Sequence, residues 1–478
     1  MNICFICDLH LPFDKSAIQY KALEHAIKSI QHVSPDLIIF AGDASCDGDL
    51  SAYRYLIDKL STRNVPLLHI PGNSDLRDAK NSKAVKAMAS KCKNIFGKLT
   101  VLAINDSDGT VSKDQLELLE TAPKGSIAFM HHPINELLEE TKKLMTAWRA
   151  RRPDVLLFHA HLHRFEKHGN DISLPALDPD KSVGGEPCIL YFDTETEAYE
   201  KEHFPCPIPD DFTKYLGLSC FTLSDIRLAT RYRLKYLELR PSALSFCREE
   251  LLAGIEEWKS SGGEGLSVHL PDVTLKDGNP FADKSFELLL RLAKELGANR
   301  LTQHVPMVSV NNATEECLSN IAEFISAKLK ANGIDSVIGI ENMHMTKDEI
   351  PDGSRRFGYV PDECLKFAEI LAQKCNNEVG INFDIGHARN NAPFSHKYQI
   401  GTWMSMLGDR FVGYHLHQVT SNSGKLENHM PINELYGHTI SFASLFRMWA
   451  DGAVRKAPLI LEMRPEGAYE ISLNTFLK

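Results

Sequence analysis

After residue 211 the chain does the same thing eight times. A short apolar run, in turn YLGLSCF, YLELRP, LSVHLP, LTQHVP, VIGIEN, VGINFD, VGYHLH and LILEMRP, is each time followed by a stretch with helical spacing. Parallel strands need a long crossover between them, and a helix is the usual one, so the repeat dictates parallel β/α units. Eight such units in residues 212–478 match a closed (β/α)8 barrel, which typically takes about 250 residues. The preceding segment, EHFPCPIPDD at 202–211, carries three prolines and three acids without a strand or helix period, and it reads as an interdomain linker with the boundary near Asp211. Residues 1–211 form a different domain. Their runs NICFIC, DLIIFAGD, PLLHIPGN, LTVLAIND, SIAFMHHP, DVLLFHAH and CILYFDT are short and bounded by polar or Gly/Pro residues, with helix-like stretches such as 17–33 between some of them, which predicts α/β layers.

Length agrees with two domains, since 478 residues exceed what one hydrophobic core usually organises. The mix of 43% apolar and 24% charged residues excludes disorder and collagen-like repeats. No apolar run approaches the ~20 residues of a membrane helix, and Met1 leads into a short apolar strand without a basic region or cleavage site. A cytosolic chain without a membrane partner is expected. Eleven cysteines in a reducing compartment argue against a disulfide framework, and Cys4 and Cys7, a CxxC within a strand, point to opposite faces as inert buried thiols. With 53 basic against 63 acidic side chains, the net charge of −10 disfavours whole-surface attraction to nucleic acid or anionic membrane, although a local basic patch stays open. Twenty histidines beside that acidity suit a chain that collects divalent cations.

In the first domain, polar metal-type side chains stand at the end of almost every apolar run. Asp8 and His10 lie in CDLH, Asp43 in AGD, Asn73 and Asp75 in PGNSD, His131 and His132 in MHHP, and His161 and His163 in HAHLH. Loops after parallel strands converge at one sheet edge, so these residues can meet. Their mixture of carboxylate, imidazole and amide oxygen suits a pair of borderline divalent ions such as Mn, Fe or Zn. One Asp bridging two ions would hold them ~3.5–4 Å apart, the spacing used in phosphoryl displacement.

The order DxH, GD, GNxD, H, HxH resembles the calcineurin-like metallophosphoesterase family across roughly the first 200 residues, which implies a four-layer α/β/β/α domain. The resemblance implies that Asp8, His10, Asp43 and His163 hold one ion and Asp43, Asn73, His131 and His161 the other, with Asp43 bridging and Asp43 and Asn73 in the catalytic set. His131 is preferred to His132 because it directly ends the run AFM, and His132 and His159 read as ordinary buried side chains. Two positions depart from the family pattern: Ser74 replaces the histidine of GNHD, and Ala160 the glycine of GHxH. Losing that acid weakens catalysis on poor leaving groups.

In a β/α barrel the chemistry sits at the C-terminal strand ends. Here the third strand ends at His269, the fourth at His304, the fifth at Glu341, the sixth at Asp384 with His387, the seventh at His415 and the eighth at Glu462, and the loop LENHMP adds Glu427 and His429. Charges gathered into one bowl repel and lose hydration unless cations are supplied.

This set resembles the xylose isomerase-like barrels, and within them the endonuclease IV family of abasic-site endonucleases. The sugar isomerases and epimerases share a smaller set, corresponding here to Glu341, Asp384, His415 and Glu462; His304 and the Glu427–His429 pair go beyond it. The resemblance implies up to three Zn (or Mn) ions: one on His269, His304 and Glu341, a second on Glu341, Asp384, His415 and Glu462, a third on His387, Glu427 and His429, with Glu341 and Glu462 catalytic. Glu427 stands where the family has Asp, His417 and Gln418 replace an Asn and an Asp, the glycines after His429 are missing, and Leu270–Val273 carries no wedge for duplex DNA. Abasic duplex DNA is therefore not the expected substrate. Arg355, Arg356, Arg389 and Lys397 offer phosphate-binding charges at the mouth, against a default of solvated clusters, and Phe357, Tyr359 and Tyr398 could stack a base or pack in the core.

Together these features predict a bifunctional metal-dependent phosphoesterase acting on nucleic acid or nucleotides. The alternative is a sugar-phosphate isomerase or epimerase barrel fused to a phosphatase, and a third reading is a binding protein with a decayed site.

Overall fold

The structure, a computed structural model, describes residues 1–61, 65–346, 348–422 and 425–477. The chain divides into two compact units, 1–207 with 435–444, and 208–434 with 445–478. The division differs from a single cut at 211. The proposed linker opens as a strand, Tyr199–His203, paired antiparallel with Cys188–Asp193. Asp211 already belongs to the second unit, where its carboxylate accepts hydrogen bonds from Trp449 Nε1 (3.1 Å) and Lys456 Nζ (2.5 Å). The piece 435–444 folds within the first unit: Gly184 N–H donates to Tyr436 O (2.9 Å), the Tyr436 hydroxyl donates to Cys206 O (2.9 Å), and the Ser182 and Ser441 hydroxyls meet at 3.0 Å.

The first unit is a sandwich of two sheets. One has five strands in the order 199–203, 188–193, 2–6, 37–41, 67–70, the other six in the order 93–96, 99–103, 127–130, 156–159, 171–173, 166–168. Alternation gives each strand an inner apolar face: Ile3, Phe5, Ile39 and Ile70 pack against Val101, Phe129, Phe158 and Ile172, with the Phe5 and Phe158 rings stacked at 4.2 Å. The outer residues Leu102, Ala128, Met130 and Leu157 are covered by Leu119, Met145 and Trp148 from the helices Lys113–Glu120 and Glu139–Arg151. Beyond the other sheet, the helix Ile18–Val33 buries Ile18, Ala22, Leu23, Ala26 and Ile30 along one stripe, and its Ser29 hydroxyl lies 2.8 Å from the Tyr191 hydroxyl. The layers are α/β/β/α. Cys4 and Cys7 are free and buried, and burial pushes both thiols up, so they are unreactive.

The second unit is a closed barrel of eight parallel strands, 216–220, 236–239, 265–269, 300–304, 337–341, 379–384, 411–416 and 459–461. Its register sets residues at one height side by side: Ser219 beside Glu238 beside Ser267, His304 beside Glu341, and Asp384 beside His415. The crossover helices are bounded by ordinary signals. For example, Asp283 caps Lys284–Leu296 by accepting from Ser285 N–H at 2.7 Å, and Gly297 (φ 66°) ends it. A hairpin at 274–281 follows the third strand, and after the seventh the strands Gln418–Asn422 and Lys425–Met430 pair antiparallel. Among the described residues no helix is long and apolar enough to cross a membrane.

Candidate metal centres

In the first unit the strand ends turn sharply so that their polar side chains face one point. Asp8, His10, Asp43, His161 and His163 all take left-handed backbone, at φ 49°, 48°, 59°, 69° and 60°. Gly72 lets the Asn73 turn approach: a Cβ there would sit 2.2 Å from Asp43 Oδ1. Asp43 lies in the middle. Its Oδ2 is 3.0 Å from His10 Nε2 and its Oδ1 is 3.5 Å from His131 Nε2. His131 Nε2 is also 3.0 Å from Asn73 Oδ1 and 3.3 Å from His161 Nδ1, while His163 Nε2 is 3.6 Å from Asp8 Oδ1. All seven residues expected from the sequence thus come together.

The outward ring nitrogens are held. His131 Nδ1 lies 3.0 Å from Ala41 O and His10 Nδ1 3.3 Å from Asp178 Oδ2, leaving both Nε2 atoms aimed at Asp43. Such outer partners are how metal-ligating imidazoles are oriented. Asp8 Oδ1 is buried without a hydrogen-bond donor, which fits a cation as its partner. Burial works against ionised Asp43, yet His131 and His10 beside it hold its carboxyl well below the usual range. Burial lowers His161 to about 3, helped by His131 and His132, so the ring is neutral and able to ligate.

In the second unit the focus is Glu341. Its Oε2 is 3.1 Å from His269 Nε2, and its Oε1 faces His415 Nδ1 (3.3 Å), His304 Nε2 (3.5 Å) and His387 Nδ1 (3.5 Å) without forming a hydrogen bond. His415 Nδ1 is 2.9 Å from Glu462 Oε2 and 3.8 Å from Asp384 Oδ2, and His429 Nδ1 is 3.4 Å from Glu462 Oε1. The His269–Glu341 contact is a hydrogen bond, whereas Glu341 Oε1, Glu462 Oε2, His415 Nδ1 and His429 Nδ1 are buried without one, a donor set that fits cations as partners. The groups His269–His304–Glu341 and Glu341–Asp384–His415–Glu462 each keep their ligand-type atoms within 4.8 Å of one another. Burial opposes the charge on Glu341 and Glu462, but His415 and His304 hold the first low, and Arg240 and His415 the second. Burial, with His417 adding to it, lowers His429 to about 2.

Comparisons with known proteins match this division. Residues 1–165 fit the model of the calcineurin-like phosphoesterases and residues 275–478 that of the xylose isomerase-like TIM barrels. The chain carries a calcineurin-like phosphoesterase domain and a xylose isomerase-like barrel. The phosphoesterase domain is 30% identical over 141 residues to a probable cyclic nucleotide phosphodiesterase of Vesicomyosocius okutanii subsp. Calyptogena okutanii (strain HA), covering 27% of this chain and 60% of that one. It is 31% identical over 128 residues to the 3',5'-cyclic adenosine monophosphate phosphodiesterase CpdA of Escherichia coli (strain K12), covering 24% and 46%. The chain therefore spans about half the length of these relatives. The barrel is similar to endonuclease IV from Thermus thermophilus with a TM-score of 0.37 and 14% identity, over 55% of this chain and 97% of that one.

Several side chains differ from expectation. In the phosphoesterase domain, Ser74 is fully buried and committed: its N–H donates to Asp43 Oδ1 (2.8 Å) and its hydroxyl to Ser45 O (2.7 Å). His132, read as an ordinary buried side chain, has a ligand-type nitrogen within 4.8 Å of those of His131 and His161, and its Nδ1 lies 3.1 Å from Asp106 Oδ2. Asp106 and Asp178 were missed, although Asp106 closes the run LTVLAIND and so carried the same signal as the ligands.

In the barrel, Glu427 is exposed, and the side chain that stands with His387 and His429 is His417. His417 Nε2 is 3.0 Å from Asp384 Oδ1, and Gly386 makes room for it, since a Cβ there would lie 1.8 Å from the ring. Arg355 and Arg356 are not offered to a substrate. Arg355, 7% exposed, forks onto Glu363 (3.0 and 2.6 Å), and Arg356 onto Glu349 (3.2 and 3.0 Å), which also accepts from the Tyr359 hydroxyl. A phosphate would have to displace carboxylates already in place. Phe357 and Tyr359 are buried core residues. Arg389 is half-buried at the end of Ile385–Arg389, and Lys397 is exposed with Nζ 5.4 Å from the Tyr398 ring. Glu238 on the second strand and Arg240 just after it were missed: Glu238 Oε1 is 3.0 Å from His415 Nε2, and Arg240 Nη1 is 3.1 Å from Glu462 Oε2.

Proposed function

We propose that the chain is a metal-dependent hydrolase with one phosphoesterase centre in each domain, acting on nucleotides or nucleic acid. Asp8, His10, Asp43, Asn73, His131, His161 and His163 would hold two ions. In the barrel, His269, His304, Glu341, Asp384, His387, His415, His429 and Glu462 would hold up to three, with zinc or manganese suiting the mixed imidazole and carboxylate donors. The reading rests on Asp43, one of whose oxygens faces His10 and the other His131, an arrangement that suits a carboxylate shared by two ions.

When bound, the ions supply countercharge to the phosphate and acidify water near neutral pH. The protein's part is to hold neutral imidazoles and ionised carboxylates at fixed places. Ala41 and Asp178 orient the two rings that face Asp43, and Ser74 N–H fixes Asp43 Oδ1. Because the Ser74 hydroxyl is committed to a backbone carbonyl, it has no proton for a departing alkoxide. That favours diesters and activated leaving groups, in keeping with relatives named as cyclic nucleotide phosphodiesterases. For the barrel, the five imidazoles converging with Glu341 and Glu462 support several ions, more than the four-residue set of an isomerase requires.

The test is metal content per chain together with hydrolysis of bis(4-nitrophenyl) phosphate by the full chain, measured with variants of each centre. Two ions lost from an Asp43 variant and up to three from a Glu341 variant are expected. A single barrel ion bound only by Glu341, Asp384, His415 and Glu462 would instead favour the sugar-phosphate reading.

A further inference from the structure

We propose that Glu238 is a positioning residue of the barrel centre: its carboxylate faces Nε2 of His415, favours the proton there and thereby leaves Nδ1 to a metal ion. The inference rests on the reading of the barrel as a metal centre and names a residue outside its ligand set. His415 is fully buried, with Nε2 3.0 Å from Glu238 Oε1 on one side and Nδ1 2.9 Å from Glu462 Oε2 on the other. Neither contact has hydrogen-bond geometry, so both are charge contacts, and once a cation takes the Nδ1 side the one proton of the neutral ring is left on Nε2, facing Glu238. Nδ1 is then the atom facing Glu341, Asp384 and Glu462.

Glu238 cannot swing away. Its Oε2 accepts from the Thr302 hydroxyl (2.6 Å) and the Ser267 hydroxyl (3.1 Å), and Arg240 Nη1 lies 3.6 Å from Oε1. The barrel register explains why there is room. Glu238 sits between Ser219 and Ser267 on the neighbouring strands, both small, while Leu237 and Leu239 alternate to the other face and are buried. A glutamate at 1% exposure is costly unless paired; Ser267 and Thr302 donate to Oε2, while Oε1 forms no hydrogen bond and faces His415 and Arg240 as charge contacts. Outer carboxylates of this kind fix the tautomer and raise the basicity of a ligating imidazole.

The experiment titrates zinc into the metal-free full chain against a chelator of known affinity, for wild type, Glu238→Leu and Glu238→Gln. Glu238→Leu is expected to weaken one barrel ion by about 10–100-fold, the range seen for such outer partners. Glu238→Gln, whose amide oxygen can still face Nε2–H, is expected to lose much less, and the ions of the phosphoesterase domain serve as an internal reference that stays unchanged. ¹⁵N NMR of histidine-labelled, zinc-loaded wild type is expected to show His415 bound through Nδ1 and protonated at Nε2, a readout independent of whether Glu238→Leu folds. Unchanged zinc affinity in Glu238→Leu, or a His415 bound through Nε2, would overturn the proposal. A wild-type barrel that takes up no zinc would overturn the metal reading itself, so the two failures are told apart.

Discussion

In the phosphoesterase domain five of the seven gathered side chains hang from left-handed residues, whereas in the barrel only His429, at φ 60°, does so among the ligand candidates. Open sheets bring loops to one edge but not to one point, and the last few ångströms are covered by tight turns, each costing on the order of 1–3 kcal/mol for a non-glycine residue. A closed barrel converges by construction, so its ligands sit on regular strand ends, with His304 beside Glu341 and Asp384 beside His415 in register. The barrel's burden is charge instead of backbone. Glu238, Glu341, Asp384 and Glu462 are all buried, and imidazoles and Arg240 offset them. The first centre is thus sensitive to the residues that shape its turns, the second to those that balance its charge.

The largest effect expected is from Asp43→Asn. Loss of an outer partner costs about 10–100-fold, so removal of the bridging carboxylate is expected to cut aryl diester hydrolysis by the phosphoesterase domain more than about 100-fold while the barrel keeps its metal. Retained turnover in a chain that carries this change, with the barrel centre disabled by Glu341→Gln, would break the assignment. Next, His304→Leu and His429→Leu are each expected to lose one ion, counted by elemental analysis, and to reduce barrel diester cleavage by about 10–100-fold. An isomerase centre built on the smaller set would tolerate both.

Arg355→Ala sharpens the contrast between charge that serves the fold and charge that serves the site. Breaking its nearly buried pair with Glu363 is expected to cost about 3 kcal/mol in thermal or denaturant unfolding, with KM unchanged. A raised KM at unaltered stability would return Arg355 to the substrate. The smallest effect is expected at Ser74, where Ala removes one hydrogen bond to Ser45 O, worth about 1 kcal/mol. In wild type an aryl diester is expected to turn over faster than a nucleoside monophosphate; the reverse order in steady-state kinetics would contradict the role given to Ser74.

The strands were legible because alternation and Gly/Pro punctuation are local signals, and the ligand types at their ends were legible because a sheet or barrel sends consecutive strand ends to one side. His131 was separable from His132 by its place at the end of AFM. The segment 435–444 was not legible as part of the first unit, since its partners Gly184 and Cys206 lie more than two hundred residues away and leave no periodic trace. The Arg355–Arg356 pair looked like a phosphate site because a charge run carries no record of its partners; Glu363 and Glu349, only eight and seven residues away, fold back onto it through a loop of irregular shape.

By itself, then, the sequence determined two domains, their layer and barrel architectures, and the chemistry gathered at each set of strand ends, because hydrophobic period and strand-end position are properties of short windows. Only the tertiary structure decided that His417, not Glu427, stands with His387 and His429, that Ser74 is committed to Asp43 and Ser45, and which nitrogen of His10, His131 and His415 faces its centre. Those choices are made by hydrogen bonds and charge contacts between residues far apart in the chain, whose geometry exists only once the strands are in register.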